Sequence, residues 1–535
     1  MMNRSTKRRT RLVAAAMLAI VATVGATTAG ALSGRGSREI SESTAGIAGN
    51  ADPGDFIAAA LATGDFDGDG KADALVGGPN EDLGTKADAG QIHVVYGSNS
   101  GLRSRNKLIH QGTAKVVGKS AAGDRFGAAV VSGDFDNDGI DDAAIGVPGK
   151  DLEGIGDAGK VVVLYGRKKK GLSGVRSASL SQLQEGLGGA AGTRHEFGHS
   201  LATGDFNNDG YTDLAVGVPG HSTSATRGGA VAVVYGGPGG LSAAGADTVT
   251  QNTQGMGDAT DAGDQLGWAV DAGDFNNDGH DDLAVGVPGE TLVSAEPGAG
   301  VVHVIYGSAS GIITDVTPDV GEGAPPPDPV ATVTSVTFSE DTPGVKGPTE
   351  ARDAFGASLA VGNFDGNAYD DLAIGVPGES KGVNVSSGLV HVLDGSATGL
   401  TGRGAAKLGQ AGKAVPTDAT AGDEFGLAIV AGDFNGNGRD DLAVGVPGER
   451  VGSKNSAGIV HVFVGRKSGI SKKGVQTWQP GEDGVAGRAE ANAGVGRAVA
   501  SGDVDGDGRD DLLIGSPGRT IGRDGAAGSF LVLYG

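Results

Sequence analysis

A nine-residue acidic string that recurs seven times is the feature that most constrains the fold of this chain. The first copy reads DFDGDGKAD, and a glycine precedes every copy. Consecutive copies begin about 70 residues apart, and one interval is longer by about 20 residues. The copies begin at Asp65, Asp134, Asp205, Asp274, Asn363, Asp433 and Asp503. Such regular spacing indicates one repeated structural unit rather than a series of unrelated domains.

Each repeat unit contains four short apolar runs in a fixed order. The first follows an apolar residue that usually precedes a glycine, as at Phe126-Gly127. The second follows the acidic string and ends in Gly-x-Pro, and the third resembles the run from Val161 to Tyr165. The fourth carries one apolar residue, such as Ile109, 17 positions before the next Phe-Gly site. Short β-branched runs bounded by Gly and Pro are typical of strands.

These runs predict an all-β fold, a seven-bladed β-propeller of four-stranded antiparallel blades. A radial arrangement protects the edges and faces of the sheets, which a row of independent sheets would expose. The seventh unit stops after its third strand at Tyr534-Gly535. Ile40 lies 17 residues before Ile57, at the offset of a fourth strand. We therefore expect residues 37–44 to supply the outer strand of the last blade and so to close the ring.

The N-terminal segment has the layout of a secretory signal peptide. Five basic residues between Arg4 and Arg11 precede an apolar stretch from Leu12 to Val24, and Ala29-Gly30-Ala31 fits a small-residue cleavage site. We predict a signal peptide at residues 1–31 and a single propeller at residues 32–535, with an insertion at about 312–329 in blade four. An uncleaved anchor is the alternative. No later segment is apolar enough to span a membrane.

The charge of the chain limits its partners. Removing residues 1–31, which carry five basic and no acidic residues, lowers the formal charge from −23 to −28. A chain this acidic binds nucleic acid poorly, and bound cations are its natural counterpart. The chain has no cysteine, which excludes thiolate metal ligands and a cysteine nucleophile.

The acidic strings have the chemistry of calcium loops. Oxygen-bearing side chains occupy positions 1, 3, 5 and 9, the backbone carbonyl of position 7 would add a ligand, and glycine at position 6 allows a sharp turn. The expected ligands, in order of blade, are Asp65, Asp67, Asp69, Lys71 and Asp73; Asp134, Asp136, Asp138, Ile140 and Asp142; Asp205, Asn207, Asp209, Tyr211 and Asp213; Asp274, Asn276, Asp278, His280 and Asp282; Asn363, Asp365, Asn367, Tyr369 and Asp371; Asp433, Asn435, Asn437, Arg439 and Asp441; and Asp503, Asp505, Asp507, Arg509 and Asp511.

The loops differ in charge, and we expect up to seven Ca²⁺ ions of unequal affinity. Blades one, two and seven offer four carboxylates each, blades three and four offer three, and blade six offers two. In blade five Ala368 replaces the glycine, so this loop departs furthest from the pattern. The alternative is that the strings form Asx-turns without a metal. The aspartates at loop position 8, such as Asp141, are expected to face solvent, and a role as extra ligands is the alternative.

The Phe-Gly, Asp-x-Asp/Asn-x-Asp/Asn-Gly-x-x-Asp and Gly-x-Pro-Gly elements resemble the FG-GAP repeats of integrin α-subunit propellers and their bacterial relatives. The resemblance covers nearly all of residues 37–535. It implies a seven-bladed propeller, calcium in the loops and ligand recognition on one face. Family members also include propellers attached to hydrolases, so the fold alone does not decide the function.

The sequence favours a secreted or cell-surface binding scaffold over an enzyme. No catalytic constellation stands outside the repeats, and the zinc-protease string His195-Glu196-Phe197-Gly198-His199 falls at a strand entry instead of on a helix. A secreted hydrolase or lyase with a site at the propeller channel is the alternative. We expect a monomer that binds an extracellular protein or polysaccharide on the face opposite the calcium loops. Five variable segments contribute to that face, namely Asp151–Gly159, His221–Gly228, Thr291–Gly298, Lys381–Ser387 and Val451–Ala457.

Overall fold

The computed structural model describes residues 32–187, 190–223, 226–257, 259–292, 296–316, 330–410 and 415–535. The predicted signal peptide and residues 317–329 of the predicted insertion lie outside this part of the chain. The described residues form strands and no helix.

Seven four-stranded antiparallel sheets make up the fold, as predicted. The strands of blades one to three are β2 (Ala60–Gly64), β3 (Asp73–Gly78), β4 (Gln91–Val95) and β5 (Asn106–Ile109); β6 (Val130–Gly133), β7 (Asp142–Val147), β8 (Lys160–Leu164) and β9 (Ala178–Leu180); and β10 (Leu201–Gly204), β11 (Asp213–Val218), β14 (Ala230–Val234) and β15 (Asp247–Val249). A short pair, β12 (Ser222–Thr223) and β13 (Thr226–Arg227), extends from blade three.

The remaining blades repeat this order. Their strands are β16 (Ala269–Gly273), β17 (Asp282–Val287), β18 (Val301–Ile305) and β21 (Ser335–Phe338); β22 (Ser358–Gly362), β23 (Asp371–Val376), β24 (Leu389–Asp394) and β25 (Thr401–Leu408); β26 (Ile429–Gly432), β27 (Asp441–Val446), β28 (Ile459–Val464) and β29 (Ser471–Trp478); and β30 (Val499–Gly502), β31 (Asp511–Ser516), β32 (Ser529–Tyr534) and β1 (Ser33–Ile40). Between the third and fourth strands of blade four, β19 (Thr314–Val316) pairs with β20 (Val330–Thr332).

The first strand of every blade lies next to the first strands of both neighbouring blades, so the seven inner strands form a closed ring. The second strands are buried along their whole length because adjacent blades cover both of their faces. The phenylalanine at loop position 2, as in Phe66 and Phe135, is fully buried between blades. The core is therefore a set of seven apolar layers between blades, and each blade is stabilised by its two neighbours.

The last blade is completed by the N-terminal strand β1, which pairs antiparallel with β32. Ile40 lies opposite Phe530, and Ser33 lies opposite Tyr534. The predicted closure is confirmed, but its range was wrong, because the strand spans residues 33–40 instead of 37–44. The strand ends at Ile40 because Ser41 begins a turn, in which its N–H donates to Thr44 Oγ1 at 2.9 Å.

Candidate metal centres and channel mouth

The acidic loops connect the first and second strands of every blade, at one end of the propeller. At position 1 of blade one, the carboxylate of Asp65 accepts the backbone N–H of Asp69 at 3.0 Å and of Gly70 at 2.7 Å. The same two bonds recur in every blade except blade five. There Asn363 accepts a bond from Gly366 instead, at 2.8 Å. The backbone turn thus forms in each loop through its own first side chain.

The position 9 aspartates tie each loop to the end of the third strand. In blade one, Asp73 accepts the N–H of Phe66 at 3.2 Å and that of Gly97 at 2.8 Å. The bond from the glycine after the third strand is present in all seven blades. Burial raises the pKa of Asp73, Asp142 and Asp282 to about 8. Burial also raises the pKa of the other four position 9 aspartates to about 7.

In three blades the structure brings positions 1, 3 and 9 together. One carboxylate oxygen from each lies within 4.8 Å of the others in blades one, two and seven. These are the three blades whose loops carry four acids. The clusters are Asp65, Asp67 and Asp73; Asp134, Asp136 and Asp142; and Asp503, Asp505 and Asp511.

Position 3 is an asparagine in three of the other four loops; accepting the N–H of position 5 does not set these loops apart, because Asp505 accepts the same bond in blade seven at 3.1 Å. The amide oxygens of Asn207 and Asn276 accept the N–H of position 5, at 3.0 and 2.8 Å. In blade six, the amide nitrogen of Asn435 donates to both carboxylate oxygens of Asp441, at 2.9 and 2.7 Å. Because this amide already donates hydrogen bonds to the position 9 carboxylate, a cation would stabilise that carboxylate less in blade six than in blades one, two and seven.

The position 5 side chains do not join these clusters. All seven are exposed. In blade one, Asp69 accepts the N–H of Lys71 at 3.1 Å, which is an Asx-turn. The predicted ligand shell is therefore assembled at positions 1, 3 and 9, while position 5 is turned toward its own backbone.

An orphaned atom in two loops fits a bound cation. Asp67 is buried, and its Oδ1 has no hydrogen-bond partner among the described residues; the same is true of Oδ1 of Asp136. A buried carboxylate oxygen without a partner is costly. Oxygen-only ligands from three carboxylates suit Ca²⁺. The residues present thus fit the ion that the sequence predicts.

Two arginines, which the sequence analysis missed, neutralise the position 3 aspartates. Arg105 pairs with Asp67, and Arg176 Nη2 lies 2.7 Å from Asp136 Oδ2. Each guanidinium also stacks on a tyrosine, Arg105 at 4.1 Å from the ring centre of Tyr96. Both arginines stand four residues before the apolar residue that ends the fourth strand. Comparing this position between the repeats could have identified them from the sequence.

The expectation that position 8 faces solvent is wrong. Asp141 Oδ2 accepts the backbone N–H of Asp65, position 1 of the preceding blade, at 2.8 Å. Four further blade boundaries have the same bond, made by Asp281, Asp370, Asp440 and Asp510. Position 8 is half-buried because the neighbouring loop lies against it, and its side chain connects blades.

The opposite end of the propeller carries a ring of residues with left-handed backbone. The residue before each Phe-Gly site has a positive φ, and its N–H in most blades donates to a connection of the adjacent blade. The ring comprises Phe56, Arg125, Glu196, Gln265, Ala354, Glu424 and Gly494. Six of these are not glycine, and such backbone strain is most often kept at functional positions.

Different side chains therefore surround the channel mouth on one common backbone. A depression of about 520 Å³ is lined in part by Phe56, Glu424 and Arg497. On the other side, Trp268 is 36% exposed, and its ring lies 4.6 Å from that of His199.

The zinc-protease string is not a metal site. His195 Nδ1 lies 2.9 Å from Gln182 Oε1, whereas His199 Nδ1 lies 3.3 Å from Glu196 Oε2. The string contains no helix, and Phe197 forms a β-bridge with Gly159, so the two histidines do not lie one helical turn apart on a shared face. The position of Phe197-Gly198 at a strand entry predicts this absence of a helix.

Comparison with known proteins gives one consistent family. The family model described as FG-GAP repeat matches residues 58–95, 126–164, 197–234, 266–305, 355–393, 425–463 and 495–533. These segments begin at or next to the Phe-Gly sites and end in the third strands, so all seven repeats are matched in phase.

The similar curated proteins share only part of their length with this chain. Phosphatidylinositol-glycan-specific phospholipase D of Rattus norvegicus is 30% identical over 202 residues, which is 37% of this chain and 20% of that protein. Integrin alpha-4 of Xenopus laevis is 34% identical over 173 residues, 32% of this chain and 15% of that protein. The solved structure of the exotype rhamnogalacturonan lyase YesX matches with a TM-score of 0.41 and 13% identity, covering 93% of this chain and 76% of that one. The chain thus spans a fifth or less of these curated relatives.

Proposed function

The chain belongs to the FG-GAP repeat family, and from that premise we propose that it is a secreted, calcium-stabilised β-propeller that acts as an extracellular binding scaffold. Calcium would occupy the acidic loops at one end, and a partner protein or polysaccharide would bind the other end. No helix among the described residues is long and apolar enough to cross a membrane.

The observation that carries the calcium role is the assembly of three carboxylates in blades one, two and seven. In each cluster the position 9 aspartate is buried against strand ends, and its pKa is raised to about 7 or 8 mainly by burial. Calcium, when bound, supplies the positive charge that offsets repulsion among these groups. The chain's own residues hold the loop shape, so the role of the ion is structural.

The partner face is supported by the ring at the channel mouth. Arg125 Nη2 lies 3.5 Å from Glu196 Oε1, and Glu196 in turn contacts His199, which packs on Trp268. Charged and aromatic groups thus run without interruption from blade two to blade four. Aromatic and arginine side chains are the usual anchors of binding interfaces. A rigid scaffold that presents varied side chains is suited to recognition.

Thermal unfolding with and without calcium tests the proposal. We expect a higher melting temperature when calcium is added back to protein treated with EDTA, together with several bound ions per chain by equilibrium dialysis. A melting temperature that does not change and no bound calcium would contradict the metal role. Retention of cell-surface or matrix proteins and polysaccharides on immobilised protein, compared between calcium and EDTA, then tests the scaffold role.

A further inference from the structure

A second set of polar side chains lies at the end opposite the acidic loops, at the boundaries between blades. Three repeat positions meet at each boundary. They are the second residue after the apolar residue that ends the outer strand, the second residue before the Phe-Gly site, and the second residue after the Pro of Gly-x-Pro. In blade one these are Glu42, Asp55 and Glu81. We call each set of three a boundary triad.

At five boundaries the triad contains its own hydrogen-bond donor or cation. Lys150 Nζ lies 2.9 Å from Asp124 Oδ2, and Gln251 Nε2 donates to Glu290 Oε2 at 2.7 Å. At the last boundary, Arg519 pairs with Glu39 and Glu490, which lie beside the triad. The remaining two boundaries use Gln182, with His195 and His221, and Gln410, which donates to Glu449.

Two boundary triads consist of acids alone. They are Glu42, Asp55 and Glu81 between blades seven and one, and Glu340, Asp353 and Glu379 between blades four and five. In each, one oxygen from every carboxylate lies within 4.8 Å of the other two. Three carboxylates at this distance repel one another strongly unless protons or a cation reduce the charge.

Buried oxygens in both all-acid triads lack a partner among the described residues. Glu42 is 6% exposed; its Oε1 accepts Gln91 Nε2 at 2.9 Å and His93 Nε2 at 3.0 Å, while its Oε2 has no hydrogen bond. Oε2 of Glu81 is likewise unpartnered. A buried acceptor left this way costs free energy, and a cation would remove that cost.

The second all-acid triad repeats this arrangement. Glu340 is 4% exposed, its Oε1 lies 2.9 Å from His391 Nε2, and its Oε2 has no hydrogen bond. Oε2 of Glu379 is also unpartnered. In both triads a strand-three histidine thus holds one oxygen of a glutamate, while the other oxygen is buried without a hydrogen-bond partner. Outer groups orient metal-binding carboxylates in this way.

We propose that each all-acid boundary triad binds a divalent cation that prefers oxygen ligands, with Ca²⁺ as the ion that best suits three carboxylates. The two sites are separate from the acidic loops, since they lie at the other end of the blades. The site of Glu42 has the higher affinity. At the second site Lys407 Nζ lies 3.1 Å from Glu379 Oε1 and 3.9 Å from Glu340 Oε1, and it offsets part of the negative charge.

Other boundaries of the same chain provide a natural template for the test variant. Changing Glu42→Gln and Glu340→Gln gives the Gln-Asp-Glu triad that already stands at the boundaries of Gln251 and Gln410. The variant should therefore fold. A second variant, Asp505→Asn, alters only the acidic loop of blade seven and copies the asparagine at position 3 of blades three and four.

Equilibrium dialysis against calcium, with metal analysis of the protein, counts the ions. We expect the E42Q/E340Q protein to bind two fewer ions per chain than the unchanged protein. In EDTA its melting temperature should rise, because repulsion is removed, and its gain on adding calcium should be smaller. If the triads had a purely structural role, the two substitutions would not raise the melting temperature in EDTA and at the same time reduce the increase that calcium produces.

An unchanged ion count in E42Q/E340Q would overturn the proposal, and it would indicate that shared protons neutralise the triads. The loop sites are judged separately. If D505N loses an ion and E42Q/E340Q does not, the boundary sites fail and the loop sites stand. If only E42Q/E340Q loses ions, and D505N also binds calcium with unchanged affinity, the boundary sites stand and the proposed loop site of blade seven fails.

Discussion

The carboxylate of Asp141 accepts the backbone N–H of Asp65 at 2.8 Å, and the N–H of Asp141 donates to the carbonyl of Asp65 at 3.2 Å. These two bonds join the acidic loops of blades one and two. The backbone bond is present at all seven boundaries, including those where Thr212 and Ala72 occupy position 8. The loops therefore form a hydrogen-bonded ring around one end of the propeller.

Changing Asp141→Ala should lower the free energy of unfolding by about 1–2 kcal/mol, because the N–H of Asp65 loses its acceptor. Asp65 is also a proposed ligand, so calcium binding to blade one should weaken. Denaturant unfolding in EDTA isolates the first effect, and calcium titration shows the second. Asp141→Asn retains an acceptor oxygen and should lose less than half as much stability. Equal losses in the two variants would contradict this account.

Changing Asp67→Asn should weaken calcium binding to blade one on the order of tenfold, because ligand charge sets affinity in oxygen sites. The variant copies blades three and four, where asparagine stands at position 3 and turns toward its own loop. Isothermal titration calorimetry measures the change. Asn276→Ala in blade four is the control. The amide of Asn276 is neutral and its oxygen already accepts the N–H of Asp278 at 2.8 Å, so affinity should change less than in D67N.

The calcium-free protein should lose stability as the pH rises from 6.5 to 8. Burial raises the pKa of the position 9 aspartates to about 7 or 8, above the unfolded value of 3.8. The folded state then binds more protons than the unfolded state, so their stabilising contribution is complete below pH 3.8 and is lost as the pH rises through 7 to 8.

Calcium requires these groups to be ionised, so its stabilising effect should grow over the same range. Melting temperatures in EDTA and in calcium, measured at half-unit steps of pH, check both trends. Parallel curves in the two conditions would show that the position 9 aspartates do not bind the ion.

Changing Ile40→Ala should lower the free energy of unfolding by about 2–4 kcal/mol, since its side chain is buried where the ring closes. Ile109→Ala is a matched control, because it removes the equivalent side chain of blade one within a continuous stretch of chain. We expect only I40A to increase proteolysis of the N-terminal strand. Equal protease sensitivity would mean that the closing strand is no weaker than the others.

Changing Trp268→Ala should weaken binding of a captured partner by about tenfold or more while leaving the melting temperature almost unchanged, because the ring is partly exposed. Leu183→Ala is the control, since this residue is 42% exposed and lies outside the run of contacts that includes Glu196, His199 and Trp268. Surface plasmon resonance with the partner identified by capture gives both values. Unchanged partner binding in W268A would show that the interface lies away from the channel mouth.

The sequence predicted the strands well because each repeat presents the same apolar positions. The apolar residues that stand 17 positions before the Phe-Gly sites all lie in the fourth strands, including Trp478 in blade six and Ile40 at the closure. The register of the strands within a blade follows from which side chains face the adjacent blades. Because the apolar pattern recurs in seven copies, an exception in one copy does not obscure it.

Contacts between blades were not predictable in the same way. The role of Asp141 depends on how closely one loop approaches the next, and Arg105 reaches Asp67 only after the outer strand folds back. The triad of Glu42 joins parts of the chain that belong to different repeats. Aligning the connections between repeats, and not only the strings, would have shown the Glu or Gln and the Asp that recur there.

The β1–β32 pairing that closes the ring determines how the propeller would respond to a pulling force. Ser33 lies opposite Tyr534, so the pair nearest both ends of the propeller is also the first pair of the β1–β32 ladder. Tethers attached before residue 32 and after residue 535 would pull this ladder apart one pair at a time, as a zipper opens, and would not shear all of its bonds together. A propeller anchored through both ends would thus yield first at blade seven, at low force.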